Sequence, residues 1–181
     1  MDKKADSALS THLSTRLLIN NQDVDGSGEW LRVVNPATEE LVAEFRGASP
    51  AQVEAAVLAA KRAFQRPAWQ DPALRRSVLL AFADLIEAHR DALMDALIEE
   101  IGSPVNLQSN HIDTPVAFLR WFAEQATQDR TRHLGFNAAH TGVSSVAYRP
   151  VGVVAAVTAF NYPLLIGLTK IGAALAMGCT T

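Results

Sequence analysis

The sequence has little of several features that mark particular classes of protein. One cysteine among 181 residues excludes an internal disulfide framework. Lys and Arg number 16 against 19 Asp and Glu, and they are scattered, so no basic surface is available for nucleic acid or an anionic membrane. The polar start from Met1 to Ser14 lacks the apolar core of a signal peptide. We therefore expect a cytoplasmic protein that binds neither nucleic acid nor membrane.

Common cofactor and metal motifs are missing as well. There is no Gly-x-Gly-x-x-Gly pattern and no phosphate loop, and the five histidines have no ligand spacing. The segment from Asp23 to Gly28 matches the first half of an EF-hand loop, but Val34 stands where a bidentate Glu is needed. We expect a hairpin connection in this segment and no metal site.

The composition does provide apolar material for a core, with 49% hydrophobic and 19% charged residues. An uncharged run over 151–169 is long enough to span a membrane. However, Asn161 and Pro163 lie near its centre and its first half is β-branched, which favours a strand and a turn over a membrane helix.

The first part of the chain predicts a disordered tail over 1–16, followed by strands and helices over 17–135. Short strands are expected at 17–19, 31–34 and 41–45. Ser49, Pro50 and Gln52 form an N-cap, a first helical proline and a capping-box partner, so a helix should begin there and end near residue 66. Further helices are expected from about residues 71, 91 and 114.

Apolar spacing in these helices indicates which side chains should be buried. They are Val53, Val57, Ala60 and Phe64 in the first helix, Leu74, Val78, Phe82, Leu85 and His89 in the second, Leu93, Leu97 and Ile101 in the third, and Phe118, Trp121, Phe122 and Gln125 in the fourth. Residues 136–150 are expected to be a linker with a strand near 144–149 that leaves the domain.

The last segment, 151–181, predicts a strand, a polar turn and a helix. A continuous apolar run is typical of a strand covered on both faces in a parallel sheet, and its β-branched members are Val151, Val153, Val154 and Val157. Pro163 suits the first position of a helix that ends at Gly178. This pattern places the segment at the centre of an α/β domain.

Asn161 is the leading candidate for a functional residue. It lies between the end of the expected strand and the start of the helix, where ligands of open α/β sheets gather. An amide at this point could meet a cofactor or a reacting carbonyl, and it could equally be a structural cap for the following helix. The spacing alone does not distinguish these two roles.

Other candidates are weaker. Cys179 follows the C-terminus of a helix, where the dipole opposes a thiolate, so we expect a buried small residue and not a nucleophile. Glu99 and Glu100 lie in the last turns of a helix, where at least one carboxylate should face solvent. Within these residues we find no complete catalytic set.

Several separate segments resemble, in the same order, the N-terminal part of the NAD(P)-dependent aldehyde dehydrogenase family. They are 18–20, 34–40, the helix over 50–64, Trp69, 149–154 and 158–163. The resemblance covers residues 17–181. It implies an α/β fold seen in part, with small antiparallel strands, a helical layer, and the first strand and helix of a Rossmann-like parallel sheet.

The resemblance also implies an activity. The family oxidises an aldehyde to a carboxylic acid with NAD or NADP, through a cysteine thiohemiacetal and a thioester. Asn161 would be an oxyanion-hole donor, and Thr158, Ala159 and Phe160 would line the cofactor cleft beside it. The full-length form would be a homo-oligomer, with an oligomerisation strand within 136–150.

Departures from the family limit what this chain is expected to do. The family's catalytic cysteine, glutamate, glycine-containing cofactor turn and ribose-contacting lysine all come later, so the chain alone should be inactive. Phe160 and Tyr162 replace the usual tryptophan and phenylalanine, and residues 101–104 differ from a common Thr-Gly-Lys-Pro segment, which leaves the preferred aldehyde open. The alternatives are a short non-catalytic binding or assembly partner, which exposed apolar surfaces would permit, and an independent NAD-binding module.

Overall fold

The computed structural model describes residues 14–107 and 109–181, which form three small β-ribbons and five α-helices. The tail expected over 1–16 lies outside the described residues up to position 13. Arg16 forms an ion pair with Asp25, with 2.8 Å between Nε and Oδ1. The last residue of the predicted tail is therefore held by a contact with the connection that follows β2.

The ribbons are antiparallel pairs of short strands. They are β1 (Leu17–Ile19) with β2 (Gln22–Val24), β3 (Trp30–Val34) with β4 (Leu41–Arg46), and β5 (Arg132–Phe136) with β6 (Val143–Val146). The strands predicted at 17–19, 31–34 and 41–45 are confirmed. The strand predicted near 144–149 is present but begins and ends earlier, as β6.

Two strands were not predicted. The segment expected to be a hairpin connection from Asp23 begins inside β2, and β5 runs into the start of the linker expected over 136–150. The sequence of β5 does not alternate between apolar and polar residues, and every residue of the strand is exposed. It therefore lacks the pattern by which a half-buried strand is recognised. A ribbon of this kind is specified by pairing with its partner strand and not by its own pattern.

The helices follow the predicted order closely. They are α1 (Pro50–Phe64), α2 (Pro72–Ala88), α3 (Arg90–Ile101), α4 (Thr114–Ala126) and α5 (Pro163–Ala176), with 3₁₀ turns at Pro67–Gln70 and Val105–Leu107 and a π-helical turn at Ser109–Asp113. The predicted capping box is confirmed, because the Ser49 side chain accepts from the Gln52 N–H and the Gln52 side chain accepts from the Ser49 N–H. The helix expected from about residue 114 is α4, which begins at Thr114 and has Asp113 as its N-cap.

The core lies between α2, α4 and α5. Helix α4 packs against both of the others, and Leu79, Ile112 and Leu119 are completely buried between them. Smaller contributions come from Met94 and Leu97 on α3. Across the described residues, every helix is too short or too polar to span a bilayer.

The predicted buried stripes of several helices were wrong by one position. In α2, Leu74, Val78 and Leu85 are exposed, and the buried residues are Arg75, Leu79, Ala83 and Ile86. In α4, Phe118 and Trp121 are exposed, and Leu119 and Ala123 are buried; in α1, Val53 and Val57 are exposed and Ala59 is buried. These helices carry apolar residues on more than one face, so spacing alone does not identify the face that is covered.

The segment expected to be a regular parallel strand, 151–157, forms a single isolated bridge among the described residues. Val153 pairs in parallel with Thr180, through the Val154 N–H to Thr180 O (2.8 Å) and the Thr180 N–H to Gly152 O (3.0 Å). The prediction that both faces of this segment are covered was wrong within the described residues, since Val151 is 87% exposed and Val157 is 74% exposed. A parallel strand needs hydrogen-bonded neighbours, and among the described residues Thr180 is the one that pairs with it.

The close contact between α5 and α4 at Gly172 leads to a stability prediction. A Cβ at Gly172 would lie 2.8 Å from Phe122 Cδ2 and 3.0 Å from Leu119 Cδ2. We expect Gly172→Ala to lower the melting temperature, because overpacking costs about 1–3 kcal/mol. That cost exceeds the gain in helix propensity of about 1 kcal/mol.

Gly167→Ala in the same helix is the matched control. Its Cβ would meet Thr158 Cγ2 at 3.5 Å, an ordinary contact, so the propensity gain should remain and the melting temperature should hold or rise. Thermal unfolding followed by circular dichroism compares the two variants. Equal shifts in the two would contradict the packing of α5 on α4.

Candidate functional site

The candidate site is the exposed turn of residues 158–161, between the segment 151–157 and α5. Thr158, Ala159, Phe160 and Asn161 are all exposed, and Phe160 has 84% of its surface accessible. Pro163 occupies the first helical turn of α5, as predicted. The structure therefore places the four predicted site residues side by side on one accessible loop.

The alternative role of Asn161 as a helix cap is not supported. The N-cap of α5 is Tyr162, and no side chain of the described residues makes a capping hydrogen bond there. Since the amide of Asn161 is exposed and does not serve the helix, it remains available to a ligand.

Two contacts from α5 hold the beginning of the turn. The Lys170 ammonium donates a hydrogen bond to the Val157 carbonyl oxygen. Gly167, which is buried, lies against the Thr158 side chain about one helical turn closer to the N-terminus of α5. The turn is thus attached to the helix that follows it.

A third contact involves His111, which sequence reasoning did not identify as part of the site. The His111 and Tyr162 rings are stacked, with 4.8 Å between centroids and 17° between planes. Burial lowers the pKa of His111, which favours the neutral imidazole. No local pattern could indicate this contact, because the two residues are far apart in the chain and belong to different elements.

The opposite end of α5 is held by a different set of contacts. The Arg75 guanidinium donates to Ala176 O (3.3 Å) and Trp69 O (2.9 Å), and the Trp69 indole N–H donates to Gly178 O (3.2 Å) and Cys179 O (3.1 Å). Burial lowers the pKa of Arg75, and Asp71 opposes that shift. The prediction that Cys179 is a buried small residue is confirmed, with 5% of its surface accessible.

A groove of about 660 Å³ also lies at this far end of α5. Its lining includes Arg75, Tyr148, Arg149 and Met177, and none of the four predicted site residues. The groove and Cys179 are therefore separated by the length of α5 from the exposed turn.

Attack on a carbonyl group held by the Asn161 amide would need a nucleophilic side chain beside it. The described residues do not place one there. Comparison with known proteins identifies the family to which the chain belongs. The aldehyde dehydrogenase family model matches residues 24–181. The chain is a member of the aldehyde dehydrogenase family.

Sequence relatives within the family agree with this assignment. An NADP/NAD-dependent aldehyde dehydrogenase of Escherichia coli is 34% identical over 180 residues, which is 96% of this chain and 35% of that protein. An aminoacetaldehyde dehydrogenase of Pseudomonas aeruginosa is 37% identical over 161 residues, which is 84% of this chain and 31% of that protein.

Solved structures show the same fold. A betaine aldehyde dehydrogenase of Staphylococcus aureus in complex with NAD⁺ superposes with a TM-score of 0.86 at 30% identity, covering 94% of this chain and 34% of that one. An NAD⁺ complex of an aldehyde dehydrogenase of Bacillus cereus gives 0.84 at 31% identity, covering 91% and 34%. The fold is thus that of the N-terminal part of an aldehyde dehydrogenase, and the chain spans about a third of the length of these relatives.

Proposed function

We propose that this chain is the N-terminal part of an NAD(P)-dependent aldehyde dehydrogenase that oxidises an aldehyde to a carboxylic acid. The observation that carries the proposal is the exposed Asn161 amide on a turn where it has no structural role as a cap. Family membership supplies the reaction class. Asn161 would donate its side-chain N–H to the oxygen that becomes negatively charged when the family's cysteine thiolate attacks the aldehyde.

The turn has features that fit a dinucleotide cofactor. Within the described residues, no acceptor takes the backbone N–H groups of 158–161, so these donors are free for a bound group. The four residues are exposed and uncharged, and Phe160 offers an aromatic face. When bound, NAD or NADP would accept hydride from the substrate carbon. Thr158, Ala159 and Phe160 would position the cofactor, mainly through their backbones.

Cys179 does not act as the nucleophile in this proposal. Its thiol is buried at the C-terminal end of α5, and the exposed turn lies at the N-terminal end. Residues 1–181 on their own are therefore proposed to be inactive, with the thiohemiacetal and thioester formed on a cysteine outside them.

The proposed organisation follows the same resemblance. Residues 17–135 would be the strands and helices of the cofactor-binding domain, 136–150 a linker with an oligomerisation strand, and 151–181 the first strand, turn and helix of a Rossmann-like sheet. Phe136 and Val143, which are 68% and 67% exposed on the β5–β6 ribbon, support a homo-oligomer contact there. The proposed location is the cytoplasm.

A second candidate is a non-catalytic binding or assembly partner. The exposure of Val151 and Val157, on a segment whose single parallel bridge among the described residues is Val153 with Thr180, favours it, because an incomplete strand can pair with another chain. Under this alternative the chain would have no aldehyde-dependent activity in any form.

The test is an activity comparison between the intact protein and residues 1–181 produced alone. We expect the intact protein to reduce NAD or NADP in the presence of an aldehyde and to yield the acid, detected by the absorbance of the reduced nicotinamide and by mass spectrometry. Residues 1–181 should show no such reduction. If the intact protein is also inactive over a panel of aldehydes but forms a defined complex with another chain, the assembly alternative is supported instead.

A further inference from the structure

His111 is a buried histidine with a polar atom in an unusual position. Only 2% of its surface is accessible, and its Nδ1 is buried with no hydrogen-bond partner among the described residues. Buried polar atoms are normally paired, so an unpaired one calls for an explanation. The contact that the ring does make is the stack on Tyr162.

The backbone around His111 gives it a fixed position. It lies in the π-helical turn Ser109–Asp113, next to Ile112, which is completely buried. The two ends of this turn are tied down, because Thr114 Oγ1 donates to Ser109 O at 3.0 Å and Arg90 forms an ion pair with Asp113. Single π-helical turns are frequent at functional sites, where they alter the direction of one side chain.

Tyr162 connects this buried histidine to the exposed turn. It lies between Asn161 and Pro163, is half-buried, and caps α5 without a side-chain capping bond. Because no capping bond fixes the direction in which the chain enters the helix, that direction depends on what holds the Tyr162 ring. A stacked aromatic pair is stabilised beyond the area that it buries, so the stack on His111 favours one arrangement of the turn.

We propose that His111 is a positioning residue that acts through its stack on Tyr162 to hold the turn presenting the Asn161 amide. The proposal rests on the oxyanion role proposed above for Asn161. Burial favours the neutral ring, which can stack in the core without a buried charge. His111 itself would not touch substrate or cofactor.

The test compares paired variants of the intact protein. His111→Ala and Tyr162→Ala remove the stack from its two sides, and His111→Phe and Tyr162→Phe keep an aromatic ring. His89→Ala is the matched control, because His89 is exposed at the junction of α2 and α3, away from the turn and from the β5–β6 ribbon. Each variant is measured for single-turnover hydride transfer, for KM with a fixed aldehyde, and for hydrogen exchange of the Ile166 backbone N–H, which donates to Tyr162 O.

We expect both alanine variants to slow hydride transfer by about 10- to 100-fold with little change in KM, as misplacement of a catalytic group does. Hydrogen exchange at Ile166, whose N–H donates to Tyr162 O at 2.9 Å, should become at least about threefold faster, which reports loosening of the point where the turn enters α5. Both phenylalanine variants should stay close to the parent protein. If His111→Ala does not fold, Tyr162→Ala and the two phenylalanine variants carry the comparison.

Two outcomes would separate the failure of this proposal from that of the proposed function. If Asn161→Ala loses hydride transfer while His111→Ala and Tyr162→Ala retain both their rates and their exchange pattern, positioning by His111 is wrong and the oxyanion role stands. If Asn161→Ala retains hydride transfer, the oxyanion role is wrong and the catalytic part of the proposal is wrong with it.

Discussion

Replacing Asn161 with alanine in the intact protein is expected to lower the rate of hydride transfer in a single turnover by about 100- to 1,000-fold. The side-chain N–H is aimed at charge that develops only as the carbonyl is attacked, so its loss raises the barrier more than it weakens binding. Because Asn161 is exposed and makes no capping bond, the melting temperature should change little.

Stopped-flow measurement of cofactor reduction at saturating aldehyde gives this rate directly. Asn161→Asp has nearly the same shape but a negative charge, so it should be at least as slow as the alanine variant, which distinguishes a donor from a space-filling residue. Asn106→Ala removes an exposed amide elsewhere and serves as the control. An unchanged single-turnover rate in Asn161→Ala, with cofactor still bound, would rule out the oxyanion role.

The second large effect is expected at Arg75, whose guanidinium is buried against the C-terminal end of α5. Arg75→Met keeps an unbranched apolar side chain but removes the donors to Ala176 O and Trp69 O. Hydrogen bonds from a charged group contribute about 1.5–3 kcal/mol each, and the two carbonyl groups would be left without this partner. Allowing for rearrangement, we expect a loss of about 2–4 kcal/mol in the free energy of unfolding.

Arg76→Met is the matched control for this prediction. Arg76 is the next residue, but its side chain is 42% exposed and pairs with Glu124 at 2.7 Å, so its loss should cost about 0–1 kcal/mol. Thermal or urea unfolding compares the two variants, and thiol labelling of Cys179 in Arg75→Met should be faster than in the parent protein. If Arg75→Met is no less stable than Arg76→Met, the buried guanidinium does not hold α5 in place.

Much of the secondary structure could be predicted from local signals. Ser49, Asp71 and Pro163 mark helix starts that the structure has where expected, because capping and proline preferences act within a few residues. The buried faces could not be predicted in the same way. In α2, Val78 and Leu79 are adjacent and both apolar, so only the packing of α4 against this helix decides that Leu79 is the buried one.

The turn that carries the candidate site was predictable for the same reason, because a strand-like run, a polar turn and a helical proline are consecutive in the sequence. The roles assigned to Thr158 and Asn161 stay predictions. His111 could not be located in this way, because its contact with Tyr162 exists only once the π-helical turn has been packed beside α5. The roles of Arg75 and Trp69 at the other end of α5 were missed likewise, since their acceptors there are carbonyl groups more than 100 residues away along the chain.

The π-helical turn at Ser109–Asp113 has a consequence for how this segment can vary in length. A π-helical turn holds one more residue than an α-helical turn between the same hydrogen-bonded ends, so it is equivalent to a one-residue insertion. Deleting one residue here would restore α-helical spacing and rotate His111 by about 100° about the helix axis, away from Tyr162. The number of residues in this turn is therefore constrained more tightly than the identity of most of its side chains.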